Sequence, residues 1–326
     1  MSDKVVKRGK KPTIDIIVDV ETIGVFRPGN YATQKERASV LLLSEGKKIS
    51  KEQQEQIQKK MIISKAVFNV GITVQHNGEI QEQHQVGIDE FWLYPEHRIL
   101  DFYRKNFDKD GGDFTVRYET FGDFLIQMFY PLLKKFKEEG KKIRVSSYNA
   151  AFDSAAFVET SKLEGIEIPT IILENWKCIL VLACNCLLQD EGRKFYNWIV
   201  KEEHRLLSQP KKEWGQYISF GNNARVKAET VYRYITKDTS FIEAHKGLQD
   251  TEIEGKIFEW CRKHKGWKDM SANPTGGAWQ VLNCKALPFK KIGTFDNQCI
   301  IDLLSPTNQY KLEEIMEARG HEWTIV

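Results

Sequence analysis

The run IDIIVDV, from Ile14 to Val20, constrains this chain more than any other stretch. Five of its seven residues are Ile or Val, whose branched side chains favour extended backbone. They fall on both faces of a strand, so that strand must be covered on both sides and belongs at the centre of a sheet. At its end stand Asp19 and Glu21. Side chains two apart on a strand point to the same side, so both carboxylates converge on one point. Like charges placed there repel, unless a divalent cation that prefers hard oxygen ligands sits between them. Alone, such a pair is more often two solvated acids. Asp250-Thr251-Glu252 shows why context decides, since the same spacing in helical sequence puts the acids on different faces.

The rest of the chain can be ordered around that strand. Residues 31–65 are polar and charged, with helical character from Gln34 to Leu43 and from Lys51 to Ile62, and read as a helical insertion. Lys65 to His76 predicts a second strand, Asn77-Gly78 a hairpin turn and Glu79 to Val86 the returning strand, with Phe91 to Leu93 extending the sheet. Apolar residues at Phe121, Phe124, Leu125, Met128, Phe129, Leu132, Leu133 and Phe136 predict one helix over Glu119–Glu138, ending at Gly140. A strand from Ile143 to Tyr148, a helix from Ala150 to Leu163, a strand from Ile171 to Leu173 and helices over Leu180–Leu188 and Gly192–Lys201 follow. From about Trp267 the texture changes to a loop signal and short strand-like runs, closing with a helix from Gln309 to Arg319. The expected architecture is α/β: a mixed five-stranded sheet flanked by helices over residues 13–265, behind a basic arm at 1–12 and before a small C-terminal appendage at 266–326.

Two further stretches carry chemistry. In Tyr148-Asn149-Ala150-Ala151-Phe152-Asp153 a strand runs into a helix, which puts Asp153 in the first helical turn, where negative charge is favoured. Capping explains the same residues, because Asn149 is a common N-cap. In His245-Lys246-Gly247-Leu248-Gln249-Asp250, residues five apart on one helix would diverge. His245 and Asp250 can meet only if His245 lies on the loop and Asp250 in the first turn beyond Gly247. A loop histidine with an ordinary pKa near 6.5 is suited to taking a proton from water.

Composition bounds the setting. The 326 residues can bury a sizeable core, and no apolar run approaches the roughly 18 residues that would span a bilayer. The N-terminal stretch lacks the apolar run of a signal peptide, and the six cysteines form no C-x-x-C pair. A reducing, cytoplasmic setting is expected. Net charge is +3, so any attraction to nucleic acid depends on local clusters: Lys4 to Lys11, Lys134-Lys135, Lys141 to Arg144, Lys211-Lys212 and Lys290-Lys291. Each cluster serves equally well as a solvated face.

In their order and contexts, the stretches IIVDVETIG, SYNAAFDSAAF and EAHKGLQD resemble the DEDDh, or DnaQ-like, 3′→5′ exonucleases of the ribonuclease-H-like fold. These include proofreading exonucleases, ribonuclease T and oligoribonuclease. The resemblance covers roughly residues 13 to 262. It implies two divalent cations, Mg²⁺ or Mn²⁺, held by Asp19, Glu21, Asp153 and Asp250, with His245 as general base. It implies a substrate of single-stranded or frayed 3′ ends of DNA, with RNA as the other class, and a polymerase or other replication protein as the partner such an enzyme serves. The backbone at Thr22 and Ile23 would then lie near the terminal nucleotide, with Ile23 packing on its base, Phe152 stacking and Asn149 lining the site. The insertion at 31–65 and the length of residues 186–227 depart from the family pattern and leave substrate length open. A nuclease-fold binding module without activity, and a metal-dependent phosphatase or phosphodiesterase of small nucleotides, are the competing readings.

Overall fold

The structure is a computed structural model that describes residues 12–26, 50–92, 107, 113–169, 172–173, 176–187, 192–207, 217 and 226–264. The basic arm, the helix expected at Gln34–Leu43 with the first half of the insertion, the Lys211-Lys212 cluster and the appendage at 266–326 lie outside these residues. Strand β1 (Thr13–Phe26) runs through a six-stranded mixed sheet. It pairs antiparallel with β2 (Met61–His76) on one side and parallel with β5 (Lys142–Ser147) on the other. Strand β3 (Glu79–Ile88) follows β2 through the Asn77-Gly78 turn, where both residues have positive φ, as such a hairpin requires. Strands β4 (Val116–Tyr118) and β6 (Lys177–Cys178) complete the order β4-β3-β2-β1-β5-β6. Ile14, Ile16, Ile17, Val18 and Val20 are all buried, so β1 is covered on both faces as its composition dictates.

The helices are α1 (Lys51–Lys60), the short α2 (Asp89–Trp92) and α3 (Phe121–Phe124), α4 (Tyr130–Glu138), α5 (Ala150–Leu163), α6 (Ile179–Cys186), α7 (Gly192–Leu207), α8 (Ala228–Thr236) and α9 (Gly247–Lys263). Among the described residues no helix is long and apolar enough to cross a membrane.

The sheet has one strand more than expected. Strand β1 continues past Val20 to Phe26, so Asp19 and Glu21 lie within the strand rather than at its end, and three further details differ from the sequence reading. Phe91 is helical rather than extended: the chain leaves β3 into the short helix Asp89–Trp92, which buries Phe91 and Trp92, and Trp92 stacks on Phe68 with ring centroids 5.8 Å apart. Leu93 lies outside the described residues. The strand expected at Ile171–Leu173 falls instead at Lys177–Cys178. Ile172 and Leu173 are helical, with the Ile172 N–H on the Pro169 carbonyl (2.9 Å), and the edge strand begins after Trp176, whose indole N–H donates to Ser147 Oγ (2.8 Å). The helix expected over Glu119–Glu138 is broken by a π-helical turn at Leu125–Phe129. Pro131 follows that turn; it has no N–H to give and its ring crowds the carbonyl four residues back, so the helix widens there. At the front of this segment Thr120 and Asp123 form a reciprocal capping box.

The clusters Lys134-Lys135 and Lys141 to Arg144 are largely engaged within the protein. Lys135 pairs with Glu82, Lys141 with Glu139 at 2.6 Å, and Arg144 with the buried Asp15 at 2.6 Å.

Candidate active site

The site is assembled where the N-terminus of α9 is pressed onto β2 beside the stretch Asp19 to Glu21 of β1. Asp19 pairs across the sheet with Gly71 and Glu21 with Asn69, so these four positions share a face. A Cβ added at Gly71 would lie 1.9 Å from the Gly247 carbonyl carbon, and one at Gly247 would lie 2.5 Å from the Gly71 nitrogen. Only paired glycines let the helix come this close. Lys246, at the N-cap, gives no side-chain cap. The orphan donors are satisfied by the sheet instead: Gly247 N–H donates to Asn69 Oδ1 (3.1 Å) and Leu248 N–H to Gln85 Oε1 (2.6 Å). The two amides are themselves fixed, since Gln85 Nε2 donates to Asn69 Oδ1 (3.1 Å) and Asn69 Nδ2 to the Val86 carbonyl (2.7 Å). One turn on, Thr73 and Thr251 hydroxyls meet at 2.8 Å. Glu252 accepts from Gln83 Nε2 (2.8 Å) on the β3 side, which confirms that the Asp250-Thr251-Glu252 acids diverge.

Helix α5 is tied to the same strand. The β1–β2 register shifts between Glu21 and Thr22, and beside this irregularity the Val67 N–H donates to Thr160 Oγ1 of α5 (3.1 Å). Asp153, in the first turn of α5, is buried. Asn149 occupies the N-cap position yet makes no side-chain capping bond, so capping does not account for this turn.

The loop before α9 delivers the histidine. His245 is exposed and has φ +52°, an uncommon conformation for a non-glycine residue that turns the chain sharply before the helix. One ligand atom each from Glu21, His245 and Asp250 lies within 4.8 Å of the others. No family model, curated protein or solved structure matches the chain.

Electrostatics joins the remaining acids to that trio. Burial first, then the negative charge of Glu243, pushes Asp19 up to about 7. Burial, Asp19 and Glu243 push Asp250 up to about 9. Asp153 rises well above the ordinary carboxylate range through burial and Asp19, with the Val20 N–H and Lys65 opposing. Glu243 rises to about 7 through burial and Glu229, against Lys227 and Arg233. Acids crowded in this way hold protons unless positive charge arrives. Asp250 Oδ1 is buried without a hydrogen-bond partner, and the available donors are carboxylate oxygens and one imidazole. Such a set fits Mg²⁺ or Mn²⁺.

The expected substrate-facing residues separate. Phe152 is half-buried with the Lys65 ammonium 4.7 Å from its ring centroid, and Asn149 is half-buried at the same helix end. Thr22 is buried, and the Ile23 side chain, 1% exposed, packs in the core rather than facing outward. Sequence reasoning passed over Lys65, Asn69, Gln85, Glu243 and Glu254. Glu254 alone had a legible signal: it follows Asp250 by four residues, on the helix face that also carries Ile257 and Phe258.

Proposed function

We propose that this chain is a 3′→5′ exonuclease of the DEDDh type on a ribonuclease-H-like fold, releasing nucleoside 5′-monophosphates from single-stranded or frayed 3′ ends. The observation that carries this reading is the meeting of Glu21, His245 and Asp250 within 4.8 Å, from the central strand, a loop and a helix start. Asp19 adjoins them and raises the proton affinity of both Asp153 and Asp250. Asp19, Glu21, Asp153 and Asp250 would hold divalent cations, which when bound supply the positive charge that a dianionic transition state needs.

The chain's own groups then divide the work. His245, exposed on its sharply turned loop, accepts a proton from the attacking water. The resulting hydroxide adds to phosphorus in line with the departing 3′ oxygen, the P–O3′ bond breaks, and that oxygen takes a proton from solvent. Phe152 offers an aromatic face for the terminal base, a contact worth about 1–3 kcal/mol and indifferent to base identity. Lys65 beside it carries positive charge toward the phosphate.

The test is digestion of 5′-labelled single-stranded DNA and RNA with Mg²⁺, Mn²⁺ or chelator, beside Asp19→Ala and Asp250→Asn. A cation-dependent ladder shortening from the 3′ end, abolished in both variants while oligonucleotide binding persists, is the expected result and identifies the preferred sugar. Intact substrate under every condition would remove the reading.

A further inference from the structure

Glu254 stands one helical turn beyond Asp250 on α9, between Ile253 and Gly255, and is 3% exposed. Its Oε2 is buried and makes no hydrogen bond, and Asp250 Oδ1 is in the same condition. On the same helix Thr251 bonds to Thr73, and Arg262 reaches Asp15 at 3.6 Å. Two unpartnered acid oxygens stand one turn apart on α9. A buried carboxyl without a partner is strongly unfavourable unless something is brought to it. Residues four apart on a helix lie on one face, so Glu254 shares the buried face of α9 with Asp250 and stands one turn behind it. The acids of the cluster raise its proton affinity further.

We propose that Glu254 is a positioning residue of the cation-holding set, a buried acid behind Asp250 that adds its charge to the field around a divalent ion and orders the carboxylates that touch it. This rests on the proposed metal-dependent reading, and it adds to that reading a residue on which cation affinity depends. Groups that orient metal ligands from behind typically contribute about tenfold to hundredfold in affinity.

The experiment is Mn²⁺ titration of chelator-stripped protein, with free ion read by electron paramagnetic resonance, on the full chain and on Asp19→Ala, Glu254→Gln and Glu254→Asp. Glu254→Gln keeps the shape and removes the charge. It is expected to weaken Mn²⁺ binding roughly tenfold to hundredfold, with Glu254→Asp restoring part of the affinity and the cation-free melting temperature of Glu254→Gln equal to or above that of the parent. Unchanged Mn²⁺ affinity in Glu254→Gln, with Asp19→Ala still weakened, would overturn the inference and leave the metal-dependent reading standing. Failure of the parent protein to bind Mn²⁺ would instead remove that reading. Should Glu254→Gln not fold, a Mn²⁺-soaked crystal of the parent decides. A Glu254 carboxylate within hydrogen-bond reach of the ion's water or of Asp250 supports the assignment, and one turned to another protein partner overturns it.

Discussion

At the scale of single residues, the site divides into groups that announce themselves and groups that do not. Asp153 and Asp250 stand in the first turn of a helix, His245 on the loop before one, and Asp19 and Glu21 at the close of an apolar run, where a charged side chain is informative. The structure brings Glu21, His245 and Asp250 together and sets Asp19 and Asp153 beside them. Glu254 shares a helix face with Asp250, Ile257 and Phe258, which is legible in sequence, but the depth of its burial depends on what α9 is packed against. Ile23 misled in the opposite direction: an apolar residue after the acidic pair looks available for a base, yet β1 continues to Phe26 and carries Ile23 into the core. The role assigned to His245 makes a definite prediction. His245→Ala should slow single-turnover cleavage by about 10²–10⁴-fold, and its residual rate should climb with pH as hydroxide replaces the missing base. Full rate in that variant would move the proton transfer to another group.

At the scale of elements, the decisive contact is the one between β2 and the start of α9. Gly71→Ala would drive a methyl into the Gly247 backbone, 1.9 Å from its carbonyl carbon. Overpacking of a tight interior contact costs about 1–3 kcal/mol, and here the neighbour is backbone that cannot rotate away, so the upper part of that range is expected in urea denaturation. Cleavage should fall further than stability, since the displaced helix carries Asp250. Asn69→Ala leaves the Gly247 N–H unpaired and should cost about 1–2 kcal/mol, measured the same way. None of this was legible beforehand. Hairpin, strand and helix spans were read from periodicity, whereas α8 and the π turn were not. Helix α8 is rich in Thr, Val, Tyr and Ile, which favour strand, and the widened turn before Pro131 leaves the apolar period intact.

At the scale of the whole molecule, the acidic cluster should govern how stability responds to pH and to cations. Asp19 and Asp250 titrate near 7 and 9 when folded, against an ordinary 3.8, so the folded protein keeps protons that the unfolded chain has lost. Stability in chelator must therefore fall as pH rises from about 4 toward 9. Calorimetry in chelator should show the melting temperature dropping across that window, and saturating Mn²⁺ should flatten the drop, adding about 2.7 kcal/mol at a hundredfold excess over the dissociation constant. A melting temperature that rises with pH in chelator would contradict the crowding of these acids. The central strand, mixed sheet and flanking helices were all readable from the order of apolar runs; the sixth strand was not, because β4 has only three residues. The start signal of α9 is stored not in its own first turn but 178 residues upstream, in Asn69 of the β2–β3 hairpin. A chimera that moved residues 241–264 alone would carry the histidine and the aspartate but leave their instructions behind. The smallest portable unit of this helix start is hairpin and helix together, and they must be inherited as one.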